Sequence, residues 1–235
     1  MINKNNQQVI LVTGTSKGIG KLIAEHYLKL SNNLVIGCSR SKSSISNNNY
    51  IHYELDLSKN SAVNDLMIKI RKSTNRLNVL INNVGVASMN HLLLSTPEKI
   101  DQIIDVNLKS VINLTREASK LIKKEKNGRI INMTTVASPL NLEGESVYVS
   151  SKAAIEAFTK VIAKELSAFG ITVNAVGPGP VKTDLIKNIP THKIDRIISQ
   201  LSSKSYTSID DILNILDFFM KKESQLVNGQ IIYLG

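Results

Sequence analysis

Tyr148 and Lys152 stand four residues apart at the start of a stretch with helical apolar spacing, and Thr135 lies thirteen residues before the tyrosine. A phenol titrates near pH 10, so at neutral pH it is a reluctant proton donor or acceptor. An ammonium beside it favours the phenolate and lowers that value. The i, i+4 spacing sets both side chains on one helix face, which predicts that Lys152 acts electrostatically on Tyr148. Thr135 and Ser138 each bring a hydroxyl that can donate and accept next to such a pair. By itself the pair is a weak signal, because the same spacing occurs on many surface helices.

A second constellation lies near the start of the chain. The apolar run 9–13 leads into Thr13-Gly14-Thr15-Ser16-Lys17-Gly18-Ile19-Gly20. Glycines between a strand and a helix let the backbone approach a pyrophosphate, and the helix that follows offers unpaired N–H groups and a positive dipole end. The strand before and the helix after are the context this motif needs, so a dinucleotide is expected on Gly14, Ser16, Lys17, Gly18, Ile19 and Gly20. No Asp or Glu occurs between Glu25 and Glu54 to hold a ribose 2'-hydroxyl. Arg40, helped by Lys17, is placed to pair with a 2'-phosphate, which suits its planar fork. NADPH/NADP+ is therefore expected over NADH, against the plain alternative that both cations are solvated surface charges.

These residues need a frame. Apolar runs at 9–13, 33–39, 50–56, 77–83, 128–134, 171–177 and 230–235 alternate with helical patterns near 19–30, 60–73, 97–124, 147–169 and 209–221. Seven strands separated by helices predict an α/β fold, a single Rossmann-type doubly wound domain over 1–235 with a seven-stranded parallel sheet flanked by helices. The continuous apolarity of Val9-Ile10-Leu11-Val12 fits a strand buried on both faces. Ser95 or Thr96 before Pro97 and Glu98 reads as a helix cap, and Gly170 as a helix end. The stretch 178–208, with Pro178, Gly179, Pro180 and Pro190 among polar residues, is the least regular, and 184–208 is a candidate lid over the substrate.

The formal net charge of +10 invites a nucleic-acid reading, but the lysines are scattered, so no nucleic acid is expected, and an acidic ligand or partner stays open. One cysteine, Cys38, cannot form an internal disulfide, which leaves a reducing cytoplasm as the expectation. The apolar run after the polar start is far shorter than a membrane span, and neither a signal peptide nor a membrane segment is expected. His26, His52, His91 and His192 are dispersed without ligand spacing, so no metal is expected.

Taken in order, the glycine turn, Asn82-Asn83-Val84-Gly85, Asn107 in the long helix, the Tyr148/Lys152 pair and Pro178-Gly179-Pro180-Val181-Lys182-Thr183-Asp184 resemble the short-chain dehydrogenase/reductase family over residues 9–235. The resemblance implies that Tyr148 is the general acid in reduction of a carbonyl, and that Lys152 tunes it and holds the nicotinamide ribose. It further implies that Asn107 anchors a water leading to Lys152. Asp56 and Leu57 would lie along the adenine; Asn83, Val84 and Gly85 would border its ribose; Pro178, Gly179, Val181 and Thr183 would shelter the nicotinamide. The family usually carries serine where this chain has Thr135, which keeps the hydroxyl and adds a methyl group that stiffens it. Three readings stay open there: Thr135 in the serine's role, Ser138 in it, or a dinucleotide-binding regulator without turnover.

Within the family the pattern is most similar to the bacterial 3-oxoacyl-carrier-protein reductases, and a basic enzyme suits an acidic carrier. Phe169 departs from it, standing where those reductases often have a basic residue. The expected substrate is thus a small carbonyl, in one reading a 3-oxoacyl thioester on an acyl carrier protein, in the other a sugar-derived or secondary-metabolite compound. A homodimer or homotetramer is expected by resemblance, and the wide apolar faces of the helices near 97–124 and 147–169 are consistent with it.

Overall fold

Val9, Ile10, Leu11 and Val12 are all buried, and their neighbours alternate: Val9 and Leu11 join one apolar cluster, Ile10 and Val12 another. That is what a strand with a core on each side requires, since successive side chains point to opposite faces. The structure is a computed structural model that describes residues 7–59, 61–183, 186 and 189–235.

The strands are β1 (Gln8–Thr13), β2 (Asn33–Ser39), β3 (Tyr50–Glu54), β4 (Val79–Asn82), β5 (Gly128–Met133), β6 (Ile171–Pro178) and β7 (Ile231–Leu234). They form one parallel sheet in the order β3-β2-β1-β4-β5-β6-β7. The helices are α1 (Gly18–Leu28), α2 (Ala62–Ser73), α3 (Pro97–Ile104), α4 (Ser110–Ile122), the one-turn α5 (Ala137–Leu140), α6 (Ser146–Ser167), α7 (Thr191–Gln200) and α8 (Ile209–Met220). α1 and α8 put Ile23, Ala24, Ile212 and Leu216 into the cluster on one face; α2, α4 and α6 put Leu66, Met67, Leu114 and Ile162 into the other. The order reverses between β1 and β4, so the C-terminal ends of these two strands open a crevice, the usual ligand position in such sheets.

Polar groups in this core are paired across elements. Asn82 donates to Thr115 at 3.0 Å and to Asn132 at 2.8 Å, and Asn132 donates to Thr159 at 2.9 Å, which ties β4 and β5 to α4 and α6. Arg129, 1% exposed, donates to the carbonyls of Phe219 and Lys221 at 3.0 and 3.1 Å, capping the C-terminal end of α8. Thr96 caps α3 ahead of Pro97, as its sequence predicts.

Two expectations need correction. The helix expected over 97–124 is interrupted by a π turn at Asp105–Lys109, which divides α3 from α4. Within 178–208, read as irregular, α7 forms directly after Pro190, whose fixed φ is tolerated before a first turn. Of the candidate lid, residues 184, 185, 187 and 188 lie outside the described residues. Among the described residues, no helix is long and apolar enough to cross a membrane.

Candidate active site

The glycine turn and the end of β4 are clamped together by two side chains. Thr13 Oγ1 accepts from the N–H groups of Asn83 and Val84 at 2.9 and 2.8 Å, and Asn83 Nδ2 donates to the Thr13 carbonyl at 2.8 Å. Gly14 has φ +78°, a region that favours glycine, and a Cβ on Gly20 would lie 2.4 Å from the Gly14 carbonyl oxygen. Only glycine fits at position 20, so α1 starts hard against the turn. No acidic side chain occupies its first turn.

Above this floor runs a cleft of about 760 Å³. It is lined by Gly14, Ser16, Lys17, Gly18 and Ile19 from the turn, Arg40, Asp56 and Leu57 from the ends of β2 and β3, and Asn83, Val84 and Gly85 after β4. Its other end is closed by Thr135, Tyr148 and Lys152, with Pro178, Gly179, Val181 and Thr183 beyond β6. Of the candidate site residues, Gly20, Asn107 and Ser138 do not line it: Gly20 supports the turn from behind, and Asn107 is fully buried. The Asn107 amide accepts from the Val86 N–H at 2.8 Å and donates to the Val86 carbonyl at 2.9 Å and to Ser151 at 3.1 Å. It holds the segment after Gly85 against α6.

At the end of the cleft formed by β2 and β3, burial pushes the Asp56 carboxyl up, but hydrogen bonds from Ser58 and the charge of Arg40 outweigh it and leave the group below the ordinary carboxylate value. Arg40 therefore sits within electrostatic reach of Asp56 at the rim. His52, one of the four dispersed histidines, has a specific place here. Its ring contacts Ser39 Oγ at 3.2 Å, the Ser41 carbonyl at 3.1 Å and the Tyr50 hydroxyl at 3.0 Å, bracing the segment that carries Arg40.

At the other end Thr135 Oγ1 accepts from the Ala137 N–H at 3.2 Å and faces the Tyr148 phenol, drawing its pKa down against the larger upward push of burial. Ser138 does not line the cleft. Lys152 is 5% exposed and donates to the Met133 carbonyl at 2.8 Å; burial brings its ammonium down to about 8, with Glu156 pulling the other way. The expected effect of Lys152 on Tyr148 is corrected here. Burial pushes the phenol above its ordinary value, Glu145 pushes it further, and Lys152 is not among the groups that move it. An i, i+4 spacing fixes a shared face, and here the Lys152 ammonium is engaged by the Met133 carbonyl while burial and Glu145 set the value of the neutral phenol.

Sequence reasoning missed three contributors. Thr207 accepts from the Gly179 N–H at 2.9 Å and donates to the Leu234 carbonyl at 3.1 Å, which pins the Pro178-Gly179-Pro180 segment to the last strand. Ser151 holds Asn107. Glu145, three residues before Tyr148, is buried and lines the cleft, and burial raises its carboxyl to about 7. Only Thr207, next to Ser208, which caps α8, carried a legible local signal.

A parallel sheet with a glycine turn at its switch point defines a dinucleotide-binding protein, and the turn fits such a ligand because the cradle at Gly14 and Gly20 admits backbone and nothing larger. Residues 8–194 match the family model of the short chain dehydrogenases. The chain belongs to that family: it is an oxidoreductase acting between CH–OH and C=O groups with a nicotinamide dinucleotide cofactor. Among curated proteins it is 32% identical to a 3-oxoacyl-carrier-protein reductase of Rickettsia bellii, covering 97% of this chain and 95% of that one. A reductase of the same name from Synechocystis sp. is 36% identical over 81% of each chain. Among solved structures, the ligand-free aldohexose dehydrogenase of Thermoplasma acidophilum superposes with a TM-score of 0.87 at 25% identity, covering 97% and 92% of the two chains. A 4-hydroxyisoleucine dehydrogenase complexed with NADH superposes with a TM-score of 0.88 at 22% identity over 97% of each, a likeness of fold.

Proposed function

We propose that the protein reduces the ketone of a 3-oxoacyl thioester to a secondary alcohol, using NADPH and taking the proton from Tyr148. The observation that carries this reading is the Thr135 hydroxyl and the Tyr148 phenol set together at the end of a cleft that begins at the glycine turn. The dinucleotide supplies a hydride when bound. The chain's own residues do the rest. The raised pKa keeps Tyr148 protonated at neutral pH, as a proton donor in reduction must be. Thr135 shares the substrate carbonyl oxygen with it and stabilises the phenolate left behind. Lys152, still largely cationic at pH 7, offers its charge to that phenolate and a donor to the nicotinamide ribose.

Asn107 has its side-chain amide committed to Val86 and Ser151, so any water leading to Lys152 rests on its backbone carbonyl, in the π turn where helical pairing is displaced. Asp56 and Leu57 border the adenine, Asn83, Val84 and Gly85 its ribose, and Pro178, Gly179, Val181 and Thr183 the nicotinamide. Arg40 and Lys17 favour the 2'-phosphate. The curated relatives' name and the net charge of +10 support an acyl carrier protein as the carrier of the substrate. Ile186, Ile189, Ile194 and Ile197 line the cleft from the candidate lid and suit an acyl chain.

The test is NADPH absorbance followed with acetoacetyl thioesters, small diketones and keto sugars. Consumption with thioesters and not with keto sugars is the expected result. A second reading, reduction of a hydroxylated carbonyl, is favoured by one observation, the carboxyl of Glu145 in the cleft; turnover of keto sugars alone would establish it.

A further inference from the structure

Glu145 is 6% exposed and lines the cleft, and among the described residues no hydrogen bond or ion pair holds its carboxyl. Its backbone is fixed: the N–H donates to the Leu142 carbonyl at 3.3 Å, and its own carbonyl accepts from Val149 at 2.7 Å, closing the first turn of α6. Glu145 and Tyr148 are separated by three residues at that turn, a spacing that puts their side chains side by side. The chamber around them is apolar, with Leu142, Val106, Ile194 and Ile197 in its walls. Burying a carboxyl in such surroundings without a partner is costly, and a pocket of this kind uses its few polar groups to orient a ligand.

We propose that Glu145 determines specificity in this pocket: its carboxyl donates a hydrogen bond to a second carbonyl oxygen of the substrate, beside the one Tyr148 and Thr135 hold, so that β-dicarbonyl compounds are selected over simple ketones. This rests on the reductase reading and names what it reads in the substrate. The neutral acid is the form that burial favours and the form that can donate. It is also the form that serves the reaction. An ionised Glu145 opposes the phenolate that Tyr148 becomes, whereas a protonated one bonded to the substrate does not. A 3-oxoacyl thioester has its two carbonyl oxygens on alternate carbons, within reach of neighbouring side chains on one helix turn.

The experiment compares kcat/KM for an acetoacetyl thioester with kcat/KM for a simple aliphatic ketone in the wild type, Glu145→Gln and Glu145→Ala, with NADPH binding measured by its fluorescence to establish that each variant is folded. The glutamine keeps a donor in the same place, so the ratio is expected to stay within about threefold of the wild type. In the alanine variant the ratio is expected to fall about tenfold, the effect of one neutral hydrogen bond. An unchanged ratio in Glu145→Ala overturns the proposal. So does a loss in Glu145→Gln equal to that in Glu145→Ala, which assigns the carboxylate charge to a hydroxylated or cationic substrate. An unchanged ratio in Glu145→Ala with an active wild type brings down the specificity assignment alone; a wild type that consumes NADPH with the simple ketone and not with the thioester brings down the 3-oxoacyl thioester reading as well, and one that consumes it with neither brings down carbonyl reduction.

Discussion

Thr135 and Ser138 are three residues apart, but only the first meets Tyr148 in the cleft, while the buried Ser138 hydroxyl has no hydrogen-bond partner among the described residues. Thr135→Ala should therefore lower kcat on the order of a hundredfold, the usual loss for one polarising donor, and Ser138→Ala should leave it within about twofold. The reverse pattern in steady-state kinetics would move the role to Ser138. Arg40→Ala should weaken kcat/KM with NADPH by about ten- to a hundredfold, as loss of a charge-assisted contact does, with little change for NADH. Equal effects on the two cofactors would mean that Arg40 is a solvated charge.

Glu145 supplies a pH dependence at the same scale. Its folded pKa, about 7, lies above the ordinary value of 4.5, so between these values the folded chain binds more protons than the unfolded one. The contribution to stability is fully present below about 4.5 and is lost as pH rises through about 7, amounting to on the order of 3 kcal/mol. Glu145→Gln should thus raise Tm relative to the wild type at pH 8, with the gap closing toward pH 5, in thermal melts across that range. A constant gap at all pH values would contradict the assignment.

Among the elements, β1, β2 and β4 through β6 were legible because strands buried on both faces leave mainly apolar runs, the partly exposed edge strands β3 and β7 because they continue the alternation with helices, and α1 because glycines mark its start. The π turn was not legible: a widened turn at Asp105–Lys109 keeps the apolar spacing of the helix around it. α7 was hidden by Pro190 and by polar residues that leave Ile194 alone buried. Glu145 was invisible for a different reason, since its sequence neighbours are polar and only the fold around α6 buries it. The glycine turn gives the prediction proper to this scale. Gly20→Ala would drive a Cβ within 2.4 Å of the Gly14 carbonyl, a backbone atom that cannot yield without moving the turn. NADPH affinity, measured by fluorescence titration, should fall at least about tenfold, alongside a lower Tm. Unchanged affinity would show that the turn does not set the cofactor's position.

For the molecule as a whole, Val161 and Phe169 are 55% and 50% exposed on α6 and just beyond it, with Lys123 5.7 Å from the Phe169 ring. Two large apolar groups on one outer face are consistent with a homodimer or homotetramer. Light scattering should give two or four times the chain mass, and Val161→Lys should lower it; a monomeric wild type would refute this.

The account turns on the phenol of Tyr148 as the proton source, and its most direct test is Tyr148→Phe assayed with NADPH and an acetoacetyl thioester, with NADPH binding measured on the same preparation. Removal of one hydroxyl should cut kcat by about a hundredfold or more while NADPH affinity stays within a few-fold. Turnover within threefold of the wild type would contradict the mechanism at its centre.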